Sequence, residues 1–314
     1  MTVVPPATGE PRRPDGPRNP GDAWVVAPSG EKYWGRFGAA GLLAVDAERG
    51  ILLQHRVAWS HFGGTWGLPG GALHEDETAI VGAVREAQEE AGVPDGSVRP
   101  RFTSVLDLGI WSYTTVIADV VMPFEPVISD PESVALEWVP FDEVDARPLH
   151  PGFGRAWPAL RELLHVRPTV VVDAANVVGS VPDGWWNDRA GAARRLAERL
   201  RGLSVHGGEV ALGGDAWYPS ISLVVEGAAR GIDAPETDVE DFADLRLGGD
   251  VSVVDAEAAG DDAIVAEVER QVRAGRYVVA VTSDRELQGR VVSAGAAQVR
   301  SSGWLLGLLD AARR

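Results

Sequence analysis

The chain has 314 residues, long enough for two domains, and 45% of them are apolar, enough for ordinary cores. Its formal net charge of −17 opposes sequence-independent attraction to nucleic acid or to an anionic membrane. It has no cysteine, which excludes disulfides, zinc–thiolate sites and cysteine nucleophiles, and no apolar run approaches the ~20 residues of a membrane span.

Residues 1–22 are rich in Pro, Gly and charge and are expected to form a disordered tail. No apolar stretch follows Arg12 and Arg13, so no secretory signal is read and the cytoplasm is the expected location. Strand-like runs follow at 38–46 and 50–56. A helix is predicted from about Asp76–Thr78 to Gly92, with Asp76 as its N-cap and Gly92 as its C′ residue. Ile80, Val84, Ala87 and Ala91 recur at helical spacing and supply its core stripe. Further strands are expected at 101–111, 113–122 and 135–144, then a helix at 154–165. This order fits a mixed sheet with helices packed on it. Pro168 and the β-branched run behind it place a boundary near residue 166, giving domains at 23–166 and 167–314.

The helix at 76–92 poses an electrostatic question. Glu86, Glu89 and Glu90 fall on one stripe, where like charges repel. Arg85, four residues before Glu89, offsets only part of this. A hard cation such as Mg²⁺, bound through a few carboxylates together with substrate phosphates, would resolve it.

Gly71, Glu77, Arg85, Glu86, Glu89, Glu90, Gly92 and Val93 stand in a fixed frame that resembles the Nudix box, over a region of about 33–165. "TWGLPGG" (65–71) and "EWVPFDEV" (137–144) are similar to the family as well. Ala87 departs from the larger aliphatic residue usual there. The resemblance implies an α/β/α sandwich that hydrolyses a nucleoside diphosphate linked to another group, with Glu86, Glu89 and Glu90 holding Mg²⁺ (Mn²⁺ as a substitute). It implies that Arg85 and Glu77 orient the box and that Gly70 and Gly71 let the backbone approach the phosphates. One glutamate, in the box or in a later loop, would act as general base, and Glu132 and Glu137 are the loop candidates. Trp111 and Tyr113, two apart on a strand, are candidates to stack on a base or are simply packing aromatics.

From Thr169 onward strands and helices alternate: strands at 169–178, 220–227, 250–256 and 277–287, helices at 189–203, 261–275 and 285–295. Continuous apolar strands in that alternation predict a doubly wound parallel sheet, whose sites lie beyond the carboxyl ends of its strands. Asp173, Asp261, Asp262 and Asp284 fall there, with Asn176 and Ser283 as polar neighbours and Asp188 as a further acid. They are candidates to hold Mg²⁺ or Mn²⁺ for phosphodiester hydrolysis, while Asp261 or Asp262 and Asp284 are alternatively helix N-caps.

The series "VVDAANVV", "GDDAIV" and "VTSDREL" resembles the PIN-like superfamily, in particular its NYN branch of ribonucleases. That resemblance implies catalysis at Asp173 and Asp284 and substrate contact at Asn176. Ala174 and Ala175, where a glycine and an aromatic are usual, and Val265, where an acid is usual, depart from the branch. The expected partners are a nucleotide-type small molecule, RNA or an RNA-containing assembly, no membrane, and a second copy of the chain as an open option. Alternatively the first domain senses a nucleotide and regulates the second. In a third reading it trims a nucleotide cap or 5′ triphosphate from RNA that the second domain then cuts.

Overall fold

The computed structural model describes residues 1–4, 19–235 and 249–312, and these divide into two compact units at Leu163/Leu164. Among the described residues no helix is long and apolar enough to cross a membrane.

In the first unit, β1 (Thr2–Val4), β2 (Trp24–Val26) and β3 (Lys32–Trp34) form a small antiparallel sheet. The tail expected to be disordered therefore opens with a strand: the β-branched run Thr2, Val3 and Val4 pairs with Val26, Val25 and Trp24. The rest of that tail, 5–18, lies outside the described residues. The main sheet contains β4 (Ala39–Asp46), β5 (Gly50–Arg56), β6 (Trp66–Gly67) and β7 (Gly70–Ala72). After α1 (Ala79–Ala91), it continues with β8 (Val98–Asp107), β9 (Ser112–Val120) and β10 (Ser133–Val139). Its strand order is β10-β5-β4-β9-β8, with β6 on β5 and β7 on β4. The β4–β9 pair is parallel and the other pairs are antiparallel, so the sheet is mixed. Its centre is wholly apolar: Leu42, Leu43, Leu52, Leu53, Val116 and Ile117 are all buried. α1 lies against β4, β7 and β9 and buries Ile80, Val84, Ala87 and Ala91, the stripe read from the spacing. A further helix, α2 (Pro151–Leu163), buries Phe153, Trp157 and Leu160.

The second unit is a five-stranded, all-parallel sheet. Its strands are β11 (Pro168–Asp173), β14 (Ser220–Val225), β15 (Val251–Asp255), β16 (Tyr277–Val281) and β17 (Gln298–Arg300), in the order β15-β14-β11-β16-β17. The helices are α3 (Ala174–Gly179), α4 (Arg189–Leu200), α5 (Gly260–Arg273), α6 (Arg285–Ser293) and α7 (Ser302–Ala311). A two-residue ladder, β12 (Val205–His206) with β13 (Ala216–Trp217), is also present. Successive strand side chains point to opposite faces. Val170 and Val172 accordingly pack with Val177, Leu196, Leu200, Leu305 and Leu309, while Val171 packs with Ile264, Val268, Leu287 and Val291. Both faces are thus covered by helices, which is why the strands read as unbroken apolar runs.

The predicted strand 169–178 stops at Asp173. The Asp173 side chain accepts the Asn176 N–H at 3.0 Å and starts α3, so Val177 and Val178 are helical despite their β-branching.

Candidate active site

The acidic helix is set by its ends. Thr78, not Asp76, is the N-cap, accepting from the Val81 N–H. Asp76 instead occupies a left-handed turn position with φ +62°, which Asp tolerates through local hydrogen bonding. Gly92 terminates the helix at φ +63°.

Arg85 is the hub of the box. Its Nε and Nη2 donate to the two oxygens of Glu77 at 2.8 and 2.9 Å, Nη2 also donates to the Ala72 carbonyl at 3.1 Å, and Nη1 donates to Glu86 Oε1 at 2.8 Å. Nη1 also lies 3.5 Å from Glu89 Oε2. Burial pushes the Glu77 carboxyl up, but the Arg85 fork and the His74 N–H outweigh it, so Glu77 stays below the usual carboxylate range.

Glu90 has a different environment. It is 7% exposed, and its Oε2 accepts from the Gly70 N–H at 2.9 Å and from Gln54 Nε2 at 3.3 Å. Burial pushes its carboxyl up to about 8; the neighbouring charges of Glu86 and Glu132 add to this, while the Gly70 N–H and Arg56 oppose it. The glycines before the helix have steric reasons. A Cβ on Gly71 would sit 2.6 Å from the Glu86 carboxylate, and one on Gly70 would sit 2.5 Å from the Ala40 carbonyl oxygen and Gly41 Cα. Gly70, expected to approach phosphates, spends its N–H on Glu90.

Of the two loop candidates, Glu132 shares this environment: it lies 3.6 Å from Arg56 Nη2 and its charge acts on Glu90. Glu137 is on β10 and bonded to Arg147 at 2.8 Å. Trp111 stacks on Tyr33 with ring centroids 4.9 Å apart, and its Nε1 donates to the Trp34 carbonyl. These contacts fix one face and one edge of the half-buried Trp111 ring. Tyr113 is 6.2 Å from Trp111; its hydroxyl lies against Gly41, and burial raises its pKa, with Glu90 and Glu86 adding to the rise. Sequence reasoning missed Gln54 and Arg56, on the largely aliphatic β5, and Ser133, at the start of β10, none of which carries a local signature.

In the second unit, Asp173 ends β11 and Thr282 follows β16, between which the strand order reverses. Thr282 Oγ1 donates to Asp173 Oδ2 at 2.9 Å. Burial raises the Asp173 pKa; the Asn176 N–H and Thr282 oppose this, and the charges of Asp261 and Glu226 add to it. Glu226, unremarked in the sequence, accepts the Gly260 N–H at 3.0 Å. Asn176 Oδ1 accepts from the Ser283 N–H at 2.9 Å and ties α3 to the turn after β16.

Two expected ligands have protein partners of their own. Asp262 pairs with Arg290, and Asp284 caps α6 by accepting from the Glu286 and Leu287 N–H groups at 2.8 and 2.9 Å. Asp188 likewise caps α4. Asp284 thus serves as the helix N-cap that was its alternative reading, while its N–H donates to Thr282 Oγ1 at 3.2 Å, the hydroxyl that also bonds Asp173. Among the described residues no group of three or more Asp, Glu or His side chains stands in a metal-holding arrangement in either unit. In the first unit, Arg85 draws Glu86 and Glu89 toward itself.

Comparison with known proteins bears on the first unit. The NUDIX domain profile matches residues 35–163. A Mycobacterium tuberculosis protein, whose name of 8-oxo-dGTP diphosphatase 3 is itself an inference, is 47% identical over 171 residues, covering 51% of this chain and 76% of that protein. A nucleoside triphosphate pyrophosphatase/Nudix hydrolase fusion protein of Bifidobacterium longum is 42% identical over 147 residues, 44% of this chain and 30% of its own length. The crystal structure of a Nudix hydrolase from M. smegmatis, RenU, has 47% identity and a TM-score of 0.43, covering 46% of this chain and 94% of its own.

Proposed function

The chain belongs to the Nudix family and is a hydrolase acting on nucleotide diphosphate bonds, and from that premise we propose that its first unit is a Mg²⁺-dependent pyrophosphohydrolase of nucleoside triphosphates with an oxidised purine such as 8-oxo-dGTP among its substrates. The substrate class rests on the names of the M. tuberculosis and B. longum relatives. The observation that carries the metal site is that two carboxylates of one helix meet adjacent glycines, Glu86 against Gly71 and the buried Glu90 on the Gly70 N–H. All-oxygen donors in mutual repulsion fit a hard divalent cation. Glu86, Glu89 and Glu90 would hold it, Glu86 and Glu89 by turning from Arg85.

A bound divalent cation supplies Lewis acidity at the pyrophosphate and a water of lowered pKa. The chain's own groups do the rest. Arg85, anchored on Glu77, pairs with Glu86 and Glu89 and would release them to the cation. Glu132 would take the proton of the attacking water, with Arg56 Nη2 3.6 Å away as its partner. Tyr113 closes the wall beside Gly41.

For the second unit we propose a PIN-like domain of the NYN type that cleaves RNA with a divalent metal, acting on a presented strand. The strand order β15-β14-β11-β16-β17 and the place of Asp173 at the point of reversal, with the charges of Asp261 and Glu226 acting on it, support this. The test is one screen with Mg²⁺ against nucleoside triphosphates, 8-oxo-dGTP, ADP-ribose, dinucleoside polyphosphates and 5′-triphosphorylated RNA. One preferred substrate, lost in Glu90→Gln, is the expected result. Tight binding of one ligand without turnover would support a nucleotide sensor instead. RNA cleavage that survives Asp173→Asn would remove the nuclease assignment.

A further inference from the structure

β5 carries an amide where its neighbours are aliphatic. Gln54 is fully buried, on the same strand face as Leu52 and Arg56. A buried amide without partners is strongly unfavourable, so its hydrogen bonds define what the position is for. Gln54 Nε2 donates to Ser133 Oγ at 2.8 Å and to Glu90 Oε2 at 3.3 Å, and Oε1 stands 3.5 Å from Arg56 Nη1. Ser133 is also buried and directly follows Glu132. One amide thus touches the helix carboxylate, the start of β10 and the arginine that faces Glu132.

The consequence for Glu90 is directional. Oε2 receives two donors, the Gly70 N–H and Gln54 Nε2, while among the described residues no hydrogen bond reaches Oε1. Fixing one oxygen fixes the plane of the carboxylate and leaves the other for a ligand. We infer that Gln54 is a positioning residue that orients Glu90 toward a divalent cation and couples it to the loop bearing Glu132. This rests on the reading of Glu90 as a metal ligand given above. Hydrogen-bond partners of a ligating carboxylate commonly change metal affinity or turnover by about 10–100-fold when removed.

The test uses the full chain and Mn²⁺ alone as the first probe. Gln54→Met keeps the length and burial of the side chain and removes its hydrogen bonds. Mn²⁺ affinity by electron paramagnetic resonance, kcat and KM for 8-oxo-dGTP, and melting temperature are measured for wild type, Gln54→Met, Ser133→Ala and Glu90→Gln. The expected result is a loss of about 10–100-fold in Mn²⁺ affinity and in kcat for Gln54→Met, with KM changed by no more than about threefold. Ser133→Ala should show a smaller loss of the same kind. Wild-type Mn²⁺ affinity and kcat in Gln54→Met, alongside weakened Glu90→Gln, would overturn the positioning role alone. Unaltered Mn²⁺ affinity in Glu90→Gln would instead overturn the metal-ligand reading beneath it. If Gln54→Met does not fold, Ser133→Ala decides: unchanged Mn²⁺ affinity and kcat there overturn the inference.

Discussion

Gly70 and Gly71 are adjacent, yet adding one methyl group to each should produce two different defects. At Gly71 the new Cβ would stand 2.6 Å from three atoms of the Glu86 carboxyl group, where ordinary contact begins at 3.4 Å. The carboxylate must retreat by roughly 1 Å, and a misplacement of that size in an active site can cost about 100-fold in rate, or about 2.7 kcal/mol of barrier. The clash is with the end of a side chain, so the fold can absorb it. At Gly70 the obstacle is backbone, Ala40 O and Gly41 Cα at 2.5 Å, and the β4–β7 pairing itself must open. Gly71→Ala should therefore keep its melting temperature and lose about 100-fold in kcat/KM, while Gly70→Ala should unfold at distinctly lower temperature. Both are read from nucleotide hydrolysis assays and thermal melts on the same preparations. A Gly71→Ala protein with wild-type kcat/KM would refute the placement of Glu86 at the reacting centre.

Glu77→Gln removes the charge that anchors Arg85 and should lower stability by about 2 kcal/mol, the scale of a hydrogen bond to a charged group. Because the folded Glu77 lies below its unfolded range, that stability is present above the unfolded carboxylate pKa and is lost as pH falls through the folded value. The wild-type advantage should therefore vanish in acid, and a pH-independent gap would refute this account. His150 is held down to about 4 by burial, with the charge of Arg56 next. Its contribution is present above the unfolded pKa of about 6.5 and is lost as pH falls toward 4. An NMR titration of its ring with a midpoint near 6.5 would contradict that. Asp284→Ala should cost about 1 kcal/mol through the lost cap of α6, and an unchanged denaturant midpoint would show that the cap carries no stability.

What the sequence revealed follows the range of its signals. The α1 stripe, the Gly92 terminus and the β4, β5, β14 and β16 runs rest on local periodicity and were legible. Glu86, Glu89 and Glu90 were legible as a group, but their inequality was not. Glu89 rests against Arg85, whereas Glu90 is enclosed by partners from β5 and from the start of β7, a distinction made by residues far away in the chain. The strand at 169–178 was read too long because Val177 and Val178 favour strands; burial of Val177 against α4 and the Asp173 cap prevail over that preference. β17 is three residues without alternation, and α7 ("SGWLLGLLDA") is apolar on most sides, so neither carries a clear period. Asp76 and Thr78 are both capping residue types, and only the backbone decides between them.

The central position of β11 also bears on how the second unit is assembled. This strand is made first in its unit, yet its neighbour β16 is followed directly by Thr282, the partner of Asp173, 109 residues further along. Until β16 emerges, an apolar strand with three consecutive buried valines has an open edge, and closing so long a loop is slow. Nascent chains of this unit should therefore pass through a long interval in which Val170, Val171 and Val172 are available for mispairing. The unit should depend on folding helpers or low concentration during refolding far more than the first unit, whose β4–β5 hairpin closes over a few residues.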